Sequence, residues 1–180
     1  VVDLERTNVR SSDHYVLVEA AGNGWCLGAY EIGKYRSDKA EKGSRLLDIS
    51  FKGGQPDLLR KAERGRLVGD TQSHILDLVN APSNQKHPAH IVEYIRGAAE
   101  RYGFYVKVFD KKAIEAAGME ALLAVNRGSS EPPFFILLEY ISTEQVDRKV
   151  GLVGKGVTFD TGGLSIKSSS NMHYMKSDMG

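Results

Sequence analysis

At 180 residues, with 41% hydrophobic and 26% charged side chains, the chain has the composition of a folded globular protein, one domain or pieces of two, and not that of a disordered tail. Its 24 Lys and Arg against 23 Asp and Glu leave a formal net charge of +1, which gives no electrostatic footprint for nucleic acid or an anionic membrane. A lone cysteine, Cys26, excludes an internal disulfide and a thiolate zinc cluster, no apolar run approaches the ~20 residues that span a bilayer, and no signal peptide is visible, so a reducing cytoplasm is the expected compartment.

Residues 12–35 carry two competing patterns. His14-Tyr-Val-Leu-Val suggests a strand, whereas the spacing of Val18, Ala21, Trp25 and Ala29 suits a helix face, and Gly22, Gly24 and Gly28 weaken both. Residues 34–44 are polar and charged and read as an exposed linker; residues 45–51 read as a short strand. A long polar helix is expected from Pro56 to Asn80-Ala-Pro82, with Val68, Ile75, Leu76 and Val79 lining one side of its later half. A second helix fits residues 87–102, with Pro88 near its start, Ile91, Ile95, Ala98 and Ala99 on one face, and Gly103 as its stop.

Residues 104–109 alternate like a strand, residues 111–117 form a short helix closed by Gly118, and a further short turn covers 119–125. The apolar runs 134–141 and 149–153 have the length of buried strands in a sheet covered on both sides. Strands alternating with helices argue for α/β layering. The chain opens on Val1 and stops at Gly180 inside a motif, so both ends are expected to be cuts.

The chemistry concentrates where the last apolar run gives way to glycine. There stand Lys155, Asp160, Lys167 and Asp178, with Met172 and Met175 between the last two. Carboxylates in loops at strand ends commonly bind divalent cations, but Asp160 could equally make a turn with Gly162-Gly163, and Asp178 could cap a helix. Lys155, between Gly154 and Gly156, is either an exposed turn lysine or an amine that gives up its proton to bind a metal. Lys167, left protonated, could hold the negative oxygen of a tetrahedral intermediate. Met172 and Met175 are three apart and equally compatible with core packing.

Two familiar motifs are excluded. Val157 follows Gly156 where a phosphate loop needs lysine, and no pair of histidines has the i, i+4 spacing of a histidine-based zinc protease. His87 and His90 share a face at a helix start.

Taken together, Val153-Gly-Lys-Gly-Val-Thr-Phe-Asp-Thr-Gly-Gly-Leu-Ser-Ile-Lys167 and Met175-Lys-Ser-Asp-Met-Gly180 closely resemble the leucine (cytosol) aminopeptidase family of dinuclear metallopeptidases. The stretches 77–84 and 124–133, with Leu138-Glu-Tyr140, are similar too, so the resemblance runs from about Trp25 onward. It implies an α/β fold: a three-layer catalytic domain with a central mixed sheet, incomplete here and spanning 43–180, preceded over 1–42 by the end of a smaller N-terminal α/β domain and a linker.

The family's roles transfer to matching positions. Lys155 would be an amine ligand to the tightly held metal, Asp160 would bridge both metals, and Asp178 would belong to the tight site. Lys167 would be the electrophilic catalytic lysine and Met175 would line the pocket for the substrate's first side chain. The implied reaction removes the N-terminal residue from peptides with a free amine, using two divalent ions, Zn²⁺ or Mn²⁺, and a bicarbonate as general base. The implied assembly is a cytoplasmic homo-hexamer, with no membrane or nucleic-acid partner.

Two departures, Thr161 for serine and Ser168-Ser-Ser170 for a proline-containing turn, look tolerable. A third is larger, because the family's second acidic motif, with its bicarbonate-binding arginine, is absent from these 180 residues, so the chain is expected to be inactive by itself. The rival reading is a non-catalytic binding or assembly member of the same fold, against which the four charged residues argue, since burying charge without use is costly.

Overall fold

The computed structural model describes residues 13–32, 56–142 and 147–180, together with Arg10, Tyr35 and Ser37. The strand expected over 45–51, and most of the linker expected over 34–44, lie outside the described residues. Two units emerge, Val1–Asn80 and Ala81–Gly180.

The first unit is built on α1 (His14–Gly28) and α2 (Pro56–Asn80). The ambiguous segment is therefore helical, and its glycines explain why. At Gly65 an added Cβ would lie 2.0 Å from the Glu19 carbonyl oxygen, and at Gly22 it would lie 2.7 Å from that of Ala62. The two backbones touch where side chains are missing. Contacts climb both helices together: Glu19 with Lys61 and Arg64, Asn23 with Gln72, Tyr30 with Asp77 and Asn80. The helices thus run in the same direction.

Val18, Leu58 and Ala62 form the buried cluster between them. The buried side of α2 is Leu58, Ala62, Gly65 and Gly69, not the expected stripe, in which Val68 and Ile75 are exposed and Leu76 and Val79 half-buried. Close packing here selects the smallest residues, and a count of large apolar ones passes them over.

In the second unit, a single 3₁₀ turn (Ser83–Gln85) leads to α3 (Pro88–Tyr102). Pro88 opens the helix, and the His87 N–H donates to His90 Nδ1 at 3.1 Å, which gives both histidines a place in the helix start. Gly103, at φ 73°, closes it in the left-handed conformation, its N–H bonded to the Ala99 carbonyl. Strand β1 (Tyr105–Phe109) follows, then α4 (Lys111–Ala116), α5 (Glu120–Asn126) and β2 (Phe135–Glu139). Asp110 caps α4 by accepting from the Ala113 N–H at 2.9 Å, and Ile114 of that helix is fully buried.

The strands pair antiparallel, Tyr105 opposite Glu139 and Phe109 opposite Phe135, whose rings meet edge to face at 5.6 Å. The expectation of two strands buried on both faces is corrected in part. In β2, Leu137 and Leu138 are about half exposed. Residues 149–153 form no strand, with Val150, Leu152 and Val153 exposed. Apolar β-branched sequence makes a segment ready to pair, yet a strand exists only where a neighbour supplies its hydrogen bonds. Among the described residues, no strand pairs with 149–153. No described helix is long and apolar enough to cross a membrane.

Candidate metal centre

The four charged residues singled out by spacing lie in irregular chain after β2, and the folding of that chain brings them together in pairs. Asp160 begins a tight reversal. Its Oδ1 accepts the Gly162 N–H at 2.8 Å, and Gly162 and Gly163 follow at φ 92° and 74°, conformations that L side chains rarely adopt. At Gly162 a Cβ would also lie 2.5 Å from the Ser165 carbonyl oxygen. The reversal closes with the Lys167 N–H on the Thr161 carbonyl at 2.8 Å.

That closure returns the Lys167 side chain to where the loop began. Its Nζ lies 2.8 Å from Asp160 Oδ2 and donates to Met175 Sδ at 3.2 Å. Met175 sits in the 3₁₀ helix Met172–Ser177, and Asp178 follows as that helix's C-terminal flanking residue. Asp178 Oδ2 stands 2.7 Å from Lys155 Nζ, with the lysine side chain well exposed and the carboxylate largely covered. The space around Gly154 and Gly156 is open, so nothing in the described structure approaches the backbone beside Lys155.

Lys167, by its hydrogen bond, and then the Gly162 N–H hold the Asp160 carboxyl below the usual carboxylate range, with Lys155 adding attraction at longer range and partial desolvation opposing. The turn-making and charge-binding roles weighed for Asp160 are therefore compatible: one oxygen takes the backbone, the other a cation.

As a donor set, two carboxylates and an amine suit a divalent cation of the hard or borderline kind. Each carboxylate already presents an oxygen to a lysine nitrogen at 2.7–2.8 Å, so the residues fit such an ion in type. No group of three or more His, Cys, Asp or Glu converges among the described residues, so the set is partial.

One residue escaped the reading of the sequence. Lys86, between the 3₁₀ turn and α3, is 2% exposed, and its Nζ donates to the main-chain carbonyl of Lys176, inside the turn that carries Met175 and Asp178. Burial, and then the Lys176 charge, push its amine below the ordinary lysine range. Nothing in its polar surroundings, Ser-Asn-Gln-Lys-His, marks it out.

The class these features define is a partial α/β domain with lysines and aspartates paired in glycine-rich loops. Residues 74–180 match the model of the cytosol aminopeptidase family, catalytic domain. The chain belongs to that family. It is 37% identical over 182 residues to the probable cytosol aminopeptidase of Persephonella marina, an alignment covering 99% of this chain and 36% of the relative.

Among solved structures, the bottromycin maturation enzyme BotP in complex with Mn aligns with a TM-score of 0.78 at 35% identity, over 92% of this chain and 33% of that one. The cytosol aminopeptidase of Coxiella burnetii aligns with a TM-score of 0.69 at 30% identity, over 93% and 33%. These likenesses bear out the α/β fold class as that of an incomplete domain. The chain spans about a third of the length of the relatives it matches.

Proposed function

We propose that the complete polypeptide is a metal-dependent aminopeptidase that hydrolyses the N-terminal residue from peptides, and that this chain holds half of its catalytic apparatus. The observation that carries the reading is the linked pair of contacts, Lys155 with Asp178 and Lys167 with Asp160, inside a family match covering 74–180. Lys155, Asp160 and Asp178 would hold divalent metal, Zn²⁺ or Mn²⁺, the latter supported by the Mn complex of BotP. When bound, such ions polarise a peptide carbonyl and lower the pKa of a water toward neutrality.

The chain's own residues divide the remaining work. Asp160 is oriented before any metal arrives, because the Gly162 N–H fixes its other oxygen. Lys155 would act as a ligand only in its neutral form, its proton passing to water, and would then give up the ion pair it makes with Asp178. Lys167 keeps its proton. An ammonium carries three N–H donors, of which Asp160 and Met175 take two, and the third can meet the oxygen that becomes negative as the carbonyl is attacked. Met175, bonded to that lysine, lines the pocket for the substrate's first side chain.

The same proposal makes residues 1–42 the end of an N-terminal domain and 43–180 the first part of the catalytic one. It makes the complete protein a cytoplasmic homo-hexamer that acts on peptides with a free N-terminus and employs bicarbonate as base. The name of the family and of its relatives supports the compartment.

The deciding experiment is Asp160→Ala in the complete polypeptide. Bound metal, measured by elemental analysis, and aminoacyl-amide hydrolysis are expected to fall together. Normal metal content with full turnover would end the reading.

A further inference from the structure

Lysine is among the residues least often fully buried, because its ammonium gives up water that only hydrogen bonds can replace. Among the described residues, Lys86 is the buried charged one. It is held at its base by two short elements, the 3₁₀ turn Ser83–Gln85 before it and the first residues of α3 after it. From there its Nζ reaches the carbonyl of Lys176. That carbonyl lies in the 3₁₀ helix one residue after Met175 and two before Asp178.

The helix end is closed in part by the Gly180 N–H on the Ser177 carbonyl at 3.0 Å, but the step from Met175 to Asp178 is weakly bonded. The Asp178 N–H meets the Met175 carbonyl at 3.4 Å, close to the limit for a hydrogen bond. A bond from a buried ammonium is charge-assisted and meets little competition from water, so it constrains the turn more strongly than that contact does. Moving the turn would move both of its functional contacts, Met175 with Lys167 and Asp178 with Lys155.

We propose that Lys86 is a positioning residue of the metal centre: through the Lys176 carbonyl it fixes the turn that presents Asp178 and Met175, and so sets how tightly the centre holds a divalent cation. The inference rests on the metal reading above. Lys86 acts through the backbone and touches neither metal nor substrate. Supports of this outer kind typically govern affinity by about 10–100-fold.

The test titrates the complete polypeptide with Mn²⁺ by calorimetry, as wild type, Lys86→Met, Lys86→Arg and Asp178→Asn, with the melting temperature of each metal-free protein measured alongside. Lys86→Met keeps the apolar stem and loses the donor, and is expected to bind Mn²⁺ about 10–100-fold more weakly. Lys86→Arg restores a charged donor and should bind more tightly than Lys86→Met. Wild-type affinity in Lys86→Met, whatever its melting temperature, overturns the assignment, as does the absence of any difference between the two variants. If Lys86→Met does not fold, Lys86→Gln decides in its place: weaker binding supports the assignment and unchanged binding overturns it. A wild-type protein that binds no Mn²⁺, or an Asp178→Asn protein that binds it normally, refutes the metal reading and this inference with it. A normal Lys86→Met beside a defective Asp178→Asn refutes Lys86 alone.

Discussion

Asp160 and Lys167 divide the work of the reversal between them. The Gly162 N–H on Oδ1 orients the carboxylate, and the lysine occupies Oδ2 at 2.8 Å. Removing the lysine leaves that oriented carboxylate without its ammonium, a change that favours cation binding at Asp160. In the complete polypeptide, Lys167→Ala is therefore expected to retain its metal while turnover falls by about 10²–10³, the usual cost of losing one donor to a developing oxyanion. Metal analysis and steady-state kinetics on the same sample check both halves; an unchanged rate removes the electrophilic role.

The charged residues of this site were legible in the sequence because their spacing is unusual. Their pairing was not, since the Lys167–Asp160 contact depends on Gly162 and Gly163 turning the chain back. Lys86 was invisible for a different reason: spacing carries no information about burial, and a lysine in a polar stretch looks solvated.

Helix ends follow local rules and could be read directly. Pro56, Pro88, Gly103 and Gly118 stand at or beside the boundaries they were expected to set. The packing face of α2 could not be read, because glycine counts against a helix in propensity while serving here as the surface on which α1 rests. The Gly65 position therefore pits two effects against each other. Alanine would gain about 1 kcal/mol of helix propensity. Its methyl, however, would lie 2.0 Å from the Glu19 carbonyl oxygen, a backbone atom that moves only if the helices part.

Overpacking of this kind costs typically 1–3 kcal/mol, and a 2.0 Å approach to backbone belongs in the upper part of that range, so net of the propensity gain Gly65→Ala should lower stability by about 1–2 kcal/mol. Gly97 supplies the control, since it lies in α3 with open space around it, and Gly97→Ala should be neutral or stabilising. Denaturant titration of both variants decides. Equal effects would show that the helix contact does not govern stability at Gly65.

At the scale of the whole molecule, donor number sets the outcome. The proposed ligands, two carboxylates and one amine, number three, whereas two metal sites of the proposed kind would need about four to six donors each. Exposed apolar side chains point the same way: Leu152 at 93% and Leu164 at 108% exposure flank this loop region, and β2 presents half-exposed leucines beside it in sequence. Surface of this kind is costly in water and is normally covered by further structure. The 180-residue chain by itself, supplied with Mn²⁺, is accordingly expected to hydrolyse an aminoacyl amide no faster than the metal-containing buffer, while the complete polypeptide turns over. Circular dichroism on the same sample shows whether the short chain is folded when assayed. Turnover by the folded short chain at a rate comparable with the complete polypeptide would mean that Lys155, Asp160, Lys167 and Asp178 suffice for catalysis, and the requirement for further ligands would have to be abandoned.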